Sequence, residues 1–197
     1  MKDNYRWLTP VYELLSSLVF GQTLKQSKTC YLSNIRNKHL LIIGGGTGSD
    51  YQSVQRDMKG DFVEVSVSML RKAEKNLESS ELNFHLGEIP LGKTYDLILL
   101  PFVLDTLIDE ELEELLMKIK AVSKQGALIY LSDFFPQKNR RNKLLQSLMI
   151  RFFRAFTKHP RKDLPDYKEF LEKAGFRLLK EKTWSEDWVR AQLWQKA

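Results

Sequence analysis

A five-residue apolar run closed by glycines constrains this chain more than any other feature. His39-Leu40-Leu41-Ile42-Ile43 ends abruptly in Gly44-Gly45-Gly46-Thr47-Gly48. A run this short, bounded by glycines, reads as a strand buried on both faces, the form strands take in parallel sheets covered by helices. Glycines directly after it remove side chains, so a ligand can approach the main chain closely. Ser49 or Asp50 is placed to cap a helix running to about Met58, whose free N–H groups would point at the same spot.

The alternation continues along the chain. After a Gly60-Asp61 turn, Phe62–Val65 reads as a second strand, followed by a helix over Ser68–Glu78 with Met69, Leu70, Ala73 and Leu77 on one face. Leu82–Leu86 is a third strand, and Tyr95–Leu100 a fourth that stops at Pro101. Residues 109–123 carry Leu112, Leu115, Leu116, Ile119 and Val122 at helical spacing, with glutamates toward the N-terminus where the helix dipole favours them. Gly126 opens a fifth strand, Ala127–Leu131. Helices over 138–157 and 165–174 follow, the second closed by Gly175. Phe176–Glu181 and Trp188–Trp194 read as two final strands. Upstream, 3–20 reads as an amphipathic helix interrupted at Pro10, and 22–36 as another helix.

Five strand–helix alternations imply an α/β fold: a Rossmann-like, seven-stranded, mostly parallel sheet with helices on both faces and a C-terminal antiparallel hairpin. The 197 residues suit a single domain, organised as an N-terminal helical lid (1–37) and a ligand-binding core (38–197). The net charge of +6 reads as solvated surface, which permits an acidic partner without requiring one. One cysteine, Cys30, excludes an intrachain disulfide and a cysteine-based metal site, and suits a reducing compartment, so a cytoplasmic location is expected. His39, His85 and His159 lie far apart, and no metal site is expected. Glu13, Ser16 and Ser17 interrupt the apolar stretch from Val11 to Phe20, so neither a signal peptide nor a membrane span is expected there.

Glu64 ends the second strand, 20 residues after Gly44. A carboxylate there can accept hydrogen bonds from both hydroxyls of an adenosine ribose. A dinucleotide fingerprint would want a third glycine where this chain has Ser49, which argues against a nicotinamide cofactor.

Leu40–Gly48 resembles the first motif of class I S-adenosylmethionine-dependent methyltransferases. Phe62–Ser66 with Met69, Leu70 and Ala73 resembles the second motif, Tyr95–Asp105 the fourth-strand motif, Gly126–Tyr130 the fifth strand, and Ala174-Gly175-Phe176 the turn into the penultimate strand. The likeness spans residues 38–197 in order, and Tyr5–Gly21 is similar to the leading helices of small-molecule methyltransferases, including those acting on quinones. The resemblance implies S-adenosylmethionine as cofactor, held by Gly44, Gly45, Gly46, Thr47, Gly48, Glu64 and Val65. It places Glu88 and Ile89 against adenine, and Pro101 and Phe102 near the sulfur. Asp105 is the candidate base or substrate ligand, with a helix cap as the competing role. Tyr5 and Tyr12 are candidates to reach the substrate from the lid, with core packing as the alternative. Family members carry an acid two residues before the first glycine, where this chain has Ile42. The amino group of the cofactor must then be anchored elsewhere, and Asp50 is the candidate substitute.

Methyl transfer needs mainly alignment of a nucleophile with an already activated methyl, plus a base where the nucleophile is a hydroxyl. The expected function is therefore methyl transfer to a small, apolar or aromatic acceptor. The alternative, motivated by Ile42, is a degenerate methyltransferase fold that binds a ligand or partner without catalysis. Aminopropyl transfer would want paired acids where residues 102–105 read Phe-Val-Leu-Asp. The segment 140–158 reads as a basic amphipathic helix, with Leu144, Leu145, Leu148, Met149, Phe152, Phe153, Ala155 and Phe156 opposite Arg140, Lys143, Arg151, Arg154 and Lys158, and Arg141 as an exception. It reads first as a cover over the site or a homodimer face, and second as a peripheral membrane contact. Nucleic acid is not an expected partner, because the aromatic residues lie on the apolar side.

Overall fold

A computed structural model describes residues 21–137 and 163–197. The expected helices over 3–20 and 138–157, the candidates Tyr5 and Tyr12, and the basic face of 140–158 lie outside the described residues. The described elements, in chain order, are α1 (Thr23–Thr29), β1 (His39–Ile43), β2 (Lys59–Glu64), α2 (Val67–Asn76), β3 (Glu81–Leu86), β4 (Tyr95–Pro101), α3 (Asp109–Val122), β5 (Ser123–Phe134), α4 (Tyr167–Lys173), β6 (Phe176–Trp184) and β7 (Val189–Lys196).

The seven strands form one sheet in the order β3-β2-β1-β4-β5-β7-β6. The first five run parallel, while β7 pairs antiparallel with both β5 and β6. The C-terminal hairpin therefore inserts its second strand beside β5 and leaves its first at the edge. Successive side chains of a strand point to opposite faces, and both faces of the central strands are buried. Leu41, Ile43, Ile98, Leu100, Ile129 and Leu131 pack with Leu112, Leu116 and Ile119 of α3 and Tyr167 and Leu171 of α4. Leu40, Ile42, Leu97, Leu99 and Tyr130 pack on the other side with Leu70, Ala73 and Leu77, and with Leu32 and Ile35 from the stretch after α1.

Local sequence explains where these elements begin and end. Ser66 caps α2 by accepting from the Met69 N–H at 3.4 Å. Glu111 reaches back to the Ile108 N–H at 3.1 Å and caps α3, whose first turn holds Asp109, Glu110 and Glu111. Asp166 caps α4 through the Glu169 N–H at 3.1 Å.

Four expectations need correction. The helix expected over 22–36 ends at Thr29, and the chain then turns to bury Leu32 and Ile35. No α-helix follows the glycine loop: Ser49–Tyr51 and Gln55–Asp57 are single 3₁₀ turns. That segment must carry the chain back along a strand length of roughly 17–20 Å. Ten residues of α-helix span about 15 Å, whereas a 3₁₀ turn advances about 2 Å per residue. Gly60-Asp61 is not a turn but lies inside β2. A Cβ on Gly60 would fall 2.0 Å from the Leu40 carbonyl oxygen, so only glycine lets β2 lie this close to β1. Finally, β5 continues past Leu131 to Phe134, which carries Ser132 and Asp133 to the sheet's carboxyl edge.

Candidate active site

The strand order reverses between β1 and β4, so the crevice of this sheet opens between the loops that follow those two strands. The β1 loop runs from Gly44 to Gly48. It is anchored to the neighbouring strand by the Gly44 N–H, which donates to the Val63 carbonyl at 2.9 Å, and closed by the Gly48 N–H donating to the Gly45 carbonyl at 3.2 Å. The Asn76 side chain holds it from α2, donating to the Thr47 carbonyl at 2.9 Å. Gly46 has a φ of 61°, and a Cβ built on it would meet nothing within 4 Å. Its main chain is therefore bare toward the crevice.

Glu64 ends β2 beside this loop and is 5% exposed. Its carboxylate accepts from the Gly46 N–H and from the Ser66 N–H, each at 3.0 Å. One side chain thus ties the glycine loop to the start of α2. Around it stand two apolar side chains that folding has not covered: Val65, 55% exposed, and Leu86 at the end of β3, 53% exposed. Leu86 is the register partner of Glu64. A buried carboxylate flanked by uncovered aliphatic groups suits a ribose gripped through its hydroxyls and a purine lying on the apolar shoulder. Glu88 is exposed in the loop beyond β3, while Ile89 packs against the core.

Across the crevice, Pro101 ends β4, buried. Phe102 follows with a φ of 54°, a backbone conformation that non-glycine residues adopt at a cost of order 1–3 kcal/mol. It is held by its N–H, which donates to the Ser132 carbonyl at 2.7 Å, and by its ring, 4.9 Å from that of Phe134. Trp188 lies 6.2 Å from Phe134, and both are buried. Lys28 of α1 leans over Phe102, its Nζ 5.4 Å from the ring centroid, and donates to Asp50 at 2.8 Å.

Asp105 sits in the 3₁₀ turn Leu104–Thr106 just beyond Phe102. Close to it, at the end of β5, Asp133 is fully buried and accepts from the Phe134 N–H at 2.8 Å. Burial, and then the neighbouring charge of Asp105, push the Asp133 carboxyl well above the ordinary range, while hydrogen bonds from the Phe134 main chain, the Tyr167 hydroxyl and the Asp105 main chain act in the opposite direction. The sequence reading missed Asp133 because it ended the strand at Leu131, and Tyr167 because it meets Asp133 only through the packing of α4 on the sheet. The apolar run that resumes at Phe134-Phe135 and stops only at Pro136 was the available signal.

The residues expected to hold the cofactor thus lie at the ends of β1, β2, β3 and β4, all at the carboxyl edge of the parallel strands, with Glu64 against the glycines. Residues 20–181 match the family model of a methyltransferase domain. The chain belongs to this methyltransferase family. Its cofactor is S-adenosylmethionine, and the bare loop at Gly46 with the Glu64 carboxylate beside it fits that group.

Solved structures agree on the fold. The mitomycin 7-O-methyltransferase is 18% identical with a TM-score of 0.71, and the match covers 96% of this chain and 58% of that one. Magnesium protoporphyrin IX methyltransferase from Synechocystis PCC 6803, solved with bound SAH, is 17% identical with a TM-score of 0.66, covering 89% and 83%. An O-methyltransferase family 2 protein from Planctomyces limnophilus, in complex with apigenin, is 18% identical with a TM-score of 0.72, covering 100% and 62%. The methyltransferase described here therefore spans less than two thirds of the length of two of these proteins. A search of curated proteins finds no match.

Proposed function

We propose that this methyltransferase acts on a small apolar or aromatic acceptor seated against Phe102, with Asp105 as the base or ligand for the acceptor's nucleophilic group. The observation that carries this reading is the strained, partly exposed Phe102 just after β4, whose ring is backed by the buried Phe134 and Trp188. Strain held in place by surrounding structure at the mouth of a crevice is a mark of function, and a partly exposed aromatic ring prefers a planar or apolar partner.

When bound, S-adenosylmethionine supplies a methyl group already activated on a sulfonium. The chain's own residues hold and align. Gly44, Gly45, Gly46, Thr47 and Gly48 offer bare main chain, Glu64 accepts from ribose hydroxyls, and Val65, Leu86 and Ile89 with Glu88 form the adenine shoulder. Pro101 and Phe102 exclude water from the reacting centre. Asp105 lies close to Asp133, whose carboxyl is pushed well above the ordinary range by burial and then by the charge of Asp105. A carboxylate just beyond the end of β4 is suited to take the proton of an acceptor hydroxyl as the new bond forms. The apigenin complex of the Planctomyces limnophilus protein supports an aromatic acceptor. The single cysteine, Cys30, whose thiol lies 3.4 Å from the Tyr130 hydroxyl, supports a reducing compartment such as the cytoplasm. Among the described residues, no helix is long and apolar enough to cross a membrane.

The test is transfer of labelled methyl from S-adenosylmethionine to a panel of phenols, quinols and polar amines. The reading expects label on the phenols or quinols, with the Asp105→Asn variant slowed by about 10²–10⁴-fold at unchanged cofactor affinity. Label found only on the polar amines would overturn it.

A further inference from the structure

We propose that Lys28 and Asp50 form a charge clamp for the amino-acid end of the cofactor, with Asp50 taking the ammonium and Lys28 the carboxylate. The clamp makes the site selective for the carboxylated form. This rests on the cofactor reading above and goes beyond it, because it assigns residues on two elements that no sequence motif joins.

Position comes first. The β1 and β4 loops touch at the switch point, since a Cβ on Gly44 would lie 2.6 Å from a methyl of Val103. Lys28 spans this junction. Its ammonium is 2.8 Å from Asp50, two residues after Gly48, and 5.4 Å from the ring centroid of Phe102 on the β4 side. The side chain is 22% exposed and that of Asp50 29%, although both residue types ordinarily extend into water.

The placement is also rigid. The carbonyl of Ser27, the residue before Lys28, accepts from the Tyr130 hydroxyl and from the Ser132 hydroxyl, the latter at 2.7 Å. Ser27 is fully buried. The end of α1 is therefore pinned to the C-terminal part of β5, and the Lys28 stem starts from a fixed point.

The charges match the ligand. The amino-acid end of the cofactor carries one ammonium and one carboxylate. A preformed opposite-charge pair can receive both without leaving any partly buried charge alone, which is the costly outcome at such a site. No carboxylate comes from β1, because Ile42 is fully buried on the side packed with Phe62. Glu64 is engaged by the Gly46 and Ser66 main chain. A cofactor lacking its carboxylate would bring a lone ammonium next to Lys28, and like charges at that range repel.

Titration calorimetry on the full chain tests the clamp with two ligands: S-adenosylhomocysteine, and methylthioadenosine, which keeps the nucleoside and thioether but lacks the amino acid. The wild type should bind S-adenosylhomocysteine at least about tenfold more tightly, in line with charge-assisted contacts. Lys28→Met and Asp50→Asn should each erase most of that advantage and leave methylthioadenosine affinity within about twofold. Unchanged affinity for S-adenosylhomocysteine in both variants would overturn the clamp alone. Equal loss of both ligands would also overturn it, since the pair would then only support the fold. A wild type that binds neither ligand would instead bring down the cofactor reading itself.

Discussion

Glu64 does two jobs with one carboxylate. It fastens the glycine loop through the Gly46 N–H and the start of α2 through the Ser66 N–H, and it lies where the cofactor's ribose is expected. Glu64→Ala should weaken S-adenosylhomocysteine binding by about 1–3 kcal/mol, the cost of stranding polar groups out of water. Glu64→Gln, which keeps an acceptor oxygen, should lose less. Calorimetry on both variants checks this, and equal affinity across wild type, Gln and Ala would mean that the ribose sits elsewhere. At this scale the sequence was legible where chemistry follows local spacing: the glycines and Glu64 are tied to consecutive strands. Lys28 and Asp133 were not legible. Lys28 meets an acid 22 residues away on another element, and no local pattern encodes that meeting. Asp133 also yields a pH prediction. Its folded pKa is raised by burial and by Asp105, so its protonated form favours the fold. That contribution is complete below the unfolded value near 3.9 and is lost as pH rises through the raised folded value. Asp133→Asn mimics the protonated form. Its Tm should match the wild type only below about pH 4 and exceed it increasingly as pH rises from there toward the raised folded value, and a Tm difference independent of pH would show that Asp133 titrates normally.

The elements that read correctly from the sequence are those whose burial is one-dimensional. Leu40 to Ile43 and Leu97 to Leu100 are buried on both faces, and α3 shows its apolar stripe, so period and burial agree. The failures occur where tertiary geometry overrides local preference. The segment after Gly48 has caps and polar residues suited to a helix, but the return distance along β1 draws it out into 3₁₀ turns. Gly60 reads as a turn until Leu40 is known to lie against it. Asp61, next to Gly60, illustrates the same limit, since a charged residue in the middle of β2 is fully buried. It accepts from His85 Nε2 at 2.7 Å, Lys93 Nζ at 2.8 Å and the Tyr95 hydroxyl at 3.0 Å. Burial alone would raise its pKa, but these bonds outweigh it and hold the carboxyl below its usual range. A depressed folded pKa stabilises above the unfolded value and is lost as pH falls through the folded one. Wild-type stability should therefore decline below about pH 4. Asp61→Ala should cost about 3–5 kcal/mol at neutral pH, as expected when one partner of a buried charged network is removed. Urea unfolding at pH 7 measures this, and a loss under 1 kcal/mol would show the network to be incidental.

On the scale of the whole molecule, one sheet brings together residues that sequence order keeps apart. Its order reverses between β1 and β4, so Gly46 and Glu64 arrive from one half of the chain and Phe102, Asp105 and Asp133 from the other. Ligand binding must then report on the integrity of the entire sheet. A ligand that binds only the folded state adds about 2.7 kcal/mol of stability at a concentration one hundred times its Kd. For a domain of 197 residues, each kcal/mol shifts Tm by roughly 2–4 °C. Saturating S-adenosylhomocysteine should thus raise the wild-type Tm by on the order of 5–10 °C. Gly46→Val separates the fold from the site. Valine at a φ of 61° is strained, which lowers the Tm of the free protein somewhat, but a Cβ there meets no atom of the described residues within 4 Å. The ligand-induced shift, not the starting Tm, is the informative quantity. It should vanish in Gly46→Val, and it should survive in Gly126→Val, where glycine is likewise left-handed with only the Gln195 side chain near, at 3.9 Å, but lies near the start of β5, at the opposite end of the sheet from the crevice. Equal shifts in both variants would mean that the ligand stabilises this sheet from somewhere other than the loop after β1.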